Sequence, residues 1–252
     1  MSPDVLHVVG ERFEGFAREN PEVITLPALE RMLQGETPPA NVTLIAGQGI
    51  SDERLRQLRE RIESLPPGMR VSLAQDAGAQ ARAGARLTHK GLEHNIMISA
   101  PEQVVEGERY VSSLMLDDRC AEMSDHVTGQ HIQGMVLIEA ARQMFLAVAE
   151  RYFLPASPDR SSYFVINQID ATYHAFGFPL GMEVHYESVS RKEGKGGSLT
   201  CEAKVLFIQG GELLTEVRVR YAVYDAAFLN SREATKARQA LTRATPLMSK
   251  TG

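Results

Sequence analysis

One segment constrains this chain more than any other: Gly134 to Phe153, GMVLIEAARQMFLAVAERYF, helical in its residue choice and apolar on nearly every face. A helix with one apolar stripe lies on a surface, whereas a helix apolar all round must be buried all round. One curved sheet covers only one side of it. The other side needs a second cover, and a second copy of the chain, giving a homodimer, is the expected source. The sheet itself follows in the sequence. Beyond Pro155 and Pro158 come four extended runs, Tyr163–Tyr173, Met182–Arg191, Ser198–Ile208 and Leu213–Tyr224. Glycine-bearing turns at 193–197 and 209–211 separate the last three as hairpins. Ahead of the helix, Asn95–Ser99 and Tyr110–Leu116 also read as extended. Strands, one long helix and an antiparallel meander make an α+β arrangement.

Residues 1–76 are patterned differently, as a small α/β module. Apolar spacing predicts a helix over Asp4–Glu19, then a short apolar run at Val23–Leu26 and a short helix at Pro27–Leu33. Asn41–Ala46 reads as a buried strand, Ser51 as the cap of a helix bearing Leu55, Leu58, Ile62 and Leu65, and Met69–Ala74 as extended. Gly47-Gln48-Gly49 ahead of that helix has the composition of an anion cradle, but not the full dinucleotide or P-loop pattern. The small and polar stretch 77–85 reads as a linker, 86–230 as the sheet-and-helix domain, and 231–252 as a solvated helical tail with a frayed end.

Composition excludes some classes of function. A formal charge of -5 offers no general basic surface for nucleic acid, although an anionic carrier domain or coenzyme could be met by a local basic patch. Cys120 and Cys201 are too few and too far apart for a disulfide framework or a zinc site, and are expected to be buried thiols. No run reaches the ~18 apolar residues of a membrane helix, and Met1–Phe16 lacks the basic start and small-residue cleavage site of a signal peptide. A cytoplasmic protein is the expectation.

The polar residues that could do chemistry gather where the buried helix begins. They are His126, Gly129, His131, Gly134 and Met135, then Glu139, Arg142 and Gln143. Two glycines bracket the approach, so the backbone can turn and come close to a ligand. The helix then presents free N–H groups and the positive end of its dipole, which suit a developing oxyanion. Glu139 is read either as a structural partner of Arg142 or Gln143, three and four residues on, or as a general acid–base raised in pKa by burial. His126 and His131 are the other catalytic candidates, while Gly129, Gly134, Met135, Arg142 and Gln143 would contact substrate. No metal site is expected, since no carboxylate stands at ligand spacing, and no cofactor. The chain has no Gly-x-Ser-x-Gly elbow for a serine triad.

The stretch DHVTGQHIQGMVLIEAARQM resembles the AfsA-like family of hotdog proteins, named for A-factor biosynthesis. That family has a similar His…Gly-Met-hydrophobic-Glu-Ala-x-Gln segment. Leu87-Thr88-His89-Lys90 is similar to its entry strand, and the resemblance covers roughly residues 86 to 225. It implies a hotdog fold, an antiparallel sheet around a long central helix, here preceded by the α/β module. It also implies an acyl-thioester enzyme of natural-product or signalling-molecule biosynthesis, with an acyl carrier protein or acyl-CoA as substrate. The family's namesake type passes a 3-oxoacyl group from a carrier protein to a hydroxyl of dihydroxyacetone phosphate, and usually carries two hotdog repeats. One repeat is legible here, which leaves the acceptor open. Hotdog dehydratases share a related arrangement, but the interval from His126 to Glu139 is one residue shorter than theirs and their loop prolines are absent at Thr128 and Gln133. Transfer to a small acceptor leads; hydrolysis, dehydration and non-catalytic acyl binding are the alternatives.

Overall fold

The computed structural model describes residues 4–34, 41–74, 81–124, 129–155, 162–194 and 197–248. In chain order the elements are β1 (Asp4–Val9), α1 (Glu14–Glu19), β2 (Val23–Thr25), α2 (Leu26–Gln34), β3 (Asn41–Ala46), α3 (Asp52–Glu63) and β4 (Arg70–Leu73). These form a parallel sheet of order β2-β1-β3-β4. The expected helix over Asp4–Glu19 is instead a strand followed by a helix. Val5, Val8 and Val9 are β-branched, and the strand pairs on both sides: Val5 with β3, Val9 with β2 and Val8 with both. Gly10 ends the strand where a Cβ would collide with the backbone of Gly49. The helical spacing of apolar residues runs across two elements.

The second sheet is antiparallel. It is built from β5 (Glu102–Val105), β6 (Arg109–Ser113), β7 (Ser162–Tyr173), β8 (Glu183–Glu193), β9 (Leu199–Gln209) and β10 (Glu212–Asp225), in the order β5-β6-β8-β9-β10-β7. Short helix α4 (Ala85–Thr88) and long helix α5 (Gly134–Val148) precede β7, and α6 (Ala226–Met248) follows β10. Gly210 and Gly211 both have positive φ, 58° and 83°, and close the β9–β10 hairpin in two residues. Leu87-Thr88-His89-Lys90, expected as an entry strand, is helical and ends at His89 in the left-handed region, φ 54°. Gly84 caps that turn, and its carbonyl accepts from Leu87 N–H and from the Thr88 hydroxyl.

The sheet packs on α5, whose Val136, Leu137, Ala140, Ala141 and Met144 to Val148 are all 2% exposed or less. A π-helical turn over Ala149–Phe153 continues it to the end of the apolar run. Ala83, Ile96, Met97, Ile98, Leu116 and Met123, from the stretches on either side of β5 and β6, pack into the same core as α5, joined by Val9, Phe13 and Phe16 of the parallel module. The uncovered helix face expected from the sequence is therefore filled within the chain.

Gly47-Gln48-Gly49 is spent on the same docking. Gln48 N–H donates to Pro179 O and Gly49 N–H to Leu116 O, each at 2.9 Å. The buried Gln48 amide donates to Leu114 O and Leu180 O and accepts from Leu116 N–H. These donors hold protein carbonyls rather than an anion. Gln48→Ala should therefore cost about 2 kcal/mol, from three lost bonds that water only partly replaces. Urea unfolding measures it; a midpoint equal to wild type would remove the clamp from the account.

Candidate functional site

Helix α5 starts where Gln133 (φ −70°, ψ 144°) gives way to Gly134, with no side-chain cap. The N–H groups of Gly134 and Met135 thus have no carbonyl one turn earlier to bond. A Cβ on Gly134 would stand 2.8 Å from the outer ring atoms of Tyr173, the last residue of β7, and would push that half-exposed ring aside. From Tyr173 the chain bends back over the helix entry: Ile132 N–H donates to Gly177 O at 2.8 Å. The two segments enclose a cleft of 670 Å³ lined by Ile132, Gly134, Leu137, Tyr173, Phe176 and Phe178, with His131, His174 and Glu212 among its lining groups. His131 lies against the Phe176 ring, centroids 4.8 Å apart, and Phe178 stacks on Phe16 of the parallel module at 5.5 Å. An apolar chain fits these walls, and Gly134, the first residue of α5, and His131 are among the residues that line them.

Glu139 belongs to a different face. It follows Leu137 by two residues, about 200° around the helix. Its Oε2 accepts from Arg142 Nε at 2.7 Å; its Oε1 accepts from Arg142 Nη2 at 2.8 Å, Gln143 Nε2 at 3.0 Å and Lys90 Nζ at 2.9 Å. Lys90 also meets Glu122 Oε1 at 2.6 Å, and the Cys120 thiol donates to Glu122 Oε2 at 3.1 Å. Burial alone would raise the Glu139 carboxyl, but the bonds from Arg142, Lys90 and Gln143 outweigh it and hold the group below the usual carboxylate range. Glu122 is lowered likewise, with burial outweighed by Lys90, and Lys90 is raised by its two carboxylates despite burial. Burial pushes the Cys120 thiol up to about 12, so it stays protonated.

The sign of the pH dependence follows. Carboxyls depressed in the folded state stabilise it above their unfolded pKa, and that stability is lost as pH falls through the folded values. Urea midpoints measured downward from pH 6 should fall below about pH 4.5, and fall less in Glu139→Gln. An identical acid slope in the two proteins would show that Glu139 is not held by these partners.

Of the residues singled out in the sequence, His131 and Gly134 meet in the cleft. Met135 is 68% exposed beside it. Arg142 and Gln143 stand with Glu139, and Gln143, fully buried, also donates to Asn95 O and accepts from Met97 N–H, pinning that segment to the helix. Gly129 (φ 72°) packs on the parallel module, its carbonyl accepting from Phe16 N–H at 2.7 Å. His126 lies outside the described residues. Glu122, Tyr173, Phe176 and Phe178 carry no local pattern that separates them from ordinary surface or sheet residues, and Lys90 stands out only as the end of Leu87-Thr88-His89-Lys90.

The A-factor biosynthesis hotdog domain model matches residues 71–225. No curated protein matches the chain. Among solved structures it is similar to a mutant thioesterase from Pseudomonas aeruginosa, at 15% identity over 51% of this chain and 81% of that one, TM-score 0.36. A thioesterase from Haemophilus influenzae is similar at 11% identity over 52% and 80%, TM-score 0.37. A hypothetical thioesterase from Streptococcus pneumoniae, crystallised with coenzyme A, is similar at 15% identity over 50% and 84%, TM-score 0.33. With more than half of its length matched, the chain belongs to the AfsA family of A-factor biosynthesis hotdog domains.

Proposed function

We propose that the protein transfers an acyl group from a carrier-protein or coenzyme A thioester to a small hydroxyl or amine acceptor. The observation that carries this reading is the apolar cleft opening onto the uncapped N-terminus of α5. The acyl chain lies along Tyr173, Phe176 and Phe178, with its carbonyl oxygen toward the N–H groups of Gly134 and Met135. The acceptor oxygen or nitrogen attacks the carbonyl carbon, and the helix end stabilises the oxyanion. His131 takes the acceptor's proton and returns it to the sulfur as the C–S bond breaks. Lys90, Glu122, Glu139, Arg142 and Gln143 position the helix. Acyl carrier proteins and acyl-CoAs, incubated with the protein and candidate acceptors and followed by mass spectrometry, test the reading. Acyl-acceptor product is expected; free acid with acceptor present makes it a thioesterase, and loss of water a dehydratase.

The same reading makes the working unit a twofold dimer, with its interface moved from the helix to β7. Among the described residues no strand pairs with the outer edge of β7. Phe164, Ile166, Ile169 and Ala171 sit opposite Val223, Tyr221, Val219 and Val217 of β10, on the face that those residues bury. Yet Ile166 is 42% and Ile169 38% exposed. An unpaired edge of twelve residues with one apolar face invites a second strand.

A further inference from the structure

The cleft has two lips, and the parallel module holds both. One lip is the approach to α5. There Phe16 N–H donates to Gly129 O at 2.7 Å, and the Gln130 amide donates to Gly15 O at 2.9 Å, just ahead of His131. Gly15 permits that closeness, since a Cβ there would stand 3.0 Å from Gly129 O. The other lip is the bend after β7. Its Pro179 and Leu180 carbonyls accept from Gln48, and its Phe178 ring stacks on Phe16, 20° from parallel. A ring has two faces. Phe178 lays one on Phe16 and lines the cleft with the rest, 38% exposed. Its backbone is fixed, because its N–H and its carbonyl are both tied to the Gln209 amide, at 3.1 and 3.0 Å. Phe16, only 8% exposed, is the backing that keeps the Phe178 ring in the wall.

We propose that Phe16 and Phe178 together set the length of acyl chain that the cleft accepts, so that the parallel module selects the substrate of the sheet-and-helix domain. The inference rests on the acyl reading of the cleft given above, in which the chain starts at Gly134 and runs past Tyr173 and Phe176 toward Phe178. The device is steric. A chain that reaches Phe178 meets a ring backed by a second, buried ring. Tyr173 and Phe176 are 50% and 67% exposed and can swing outward, so they add apolar contact without setting a limit. With Phe16 cut back, Phe178 has space behind it to turn into a different rotamer, and the cleft lengthens toward the module. One methylene too many in an apolar pocket changes affinity by about tenfold or more, so a wall of this kind gives a sharp limit.

Affinity for straight-chain acyl-CoA thioether analogues, lengthened carbon by carbon, tests the wall without needing turnover. In the wild type, affinity should climb with length and break off where the chain reaches Phe178. Phe16→Ala and the milder Phe16→Leu should both move that break to longer chains, Ala further than Leu. The affinity for the first chain beyond the wild-type break, relative to the last one before it, should rise about tenfold. A ratio taken on one sample cancels any difference in folded fraction, and a variant that merely loosens the cleft weakens all lengths alike. Phe178→Ala, which removes the half-exposed ring and leaves the buried one, should move the break in the same direction. An unmoved break in folded Phe16→Leu and Phe178→Ala overturns the wall. Coenzyme A binding as tightly as its acylated analogues overturns the wall and the acyl cleft together. A break that moves as expected, with no transfer to any acceptor, leaves the wall standing and ends the transfer reading.

Discussion

Glu139→Gln is expected to lower the stability of the protein by about 3 kcal/mol, with a fall in Tm of roughly 6–12 °C for a chain of this size. The carboxylate is bonded by Arg142, Lys90 and Gln143 and is 18% exposed. An amide cannot balance the two cations: Arg142 loses its carboxylate, and Lys90 keeps only Glu122. The lower end of the range for a broken buried pair applies, because Arg142 and Lys90 keep 28% and 16% exposure. Acyl turnover per folded molecule should stay within a few-fold of wild type. Glu139 faces away from Leu137 and the cleft, and its depressed pKa makes it a poor proton acceptor at neutral pH. Melting and turnover measured on one sample separate the two roles. A variant that melts normally but loses ~100-fold in turnover would return Glu139 to the chemistry.

His131→Gln is expected to do the reverse. Removing a general acid–base lowers kcat by about 100-fold or more. The imidazole packs on the exposed Phe176 ring, and the fall in Tm should be smaller than that of Glu139→Gln. KM for the acyl donor should hold, since Tyr173, Phe176 and Phe178 supply the apolar contact. Steady-state kinetics with an acyl-CoA check it; a kcat within threefold of wild type would take proton transfer away from this residue.

The central helix was legible because apolarity on all its faces has one physical solution, and no proline interrupts it. The hairpins were legible because Gly210-Gly211 suits a two-residue turn. The first strand was not: Val5, Val8 and Val9 at spacings of three and one fit a helix until Gly10 is seen to stop the run. Nor was the second cover of α5, since the segment from Ala83 to Met123 contributes single apolar residues from turns and short bridges, without a period. At the site, His131 and Gly134 stood out because glycines and histidines gather at a helix entry. Lys90 lies 49 positions before the carboxylate it meets, and no local spacing encodes that pair. Phe16, on α1, and Phe178, between β7 and β8, stack on each other although 162 positions apart in the sequence.

The claim on which the account turns is that the thioester carbonyl sits at the N-terminus of α5. A crystal structure with a non-hydrolysable acyl-thioester analogue tests it most directly. The predicted result is a carbonyl oxygen within about 3 Å of the N–H of Gly134 or Met135, with acyl carbons against Tyr173, Phe176 and Phe178. An analogue bound instead among Lys90, Glu122 and Glu139, with the cleft unoccupied, would contradict it.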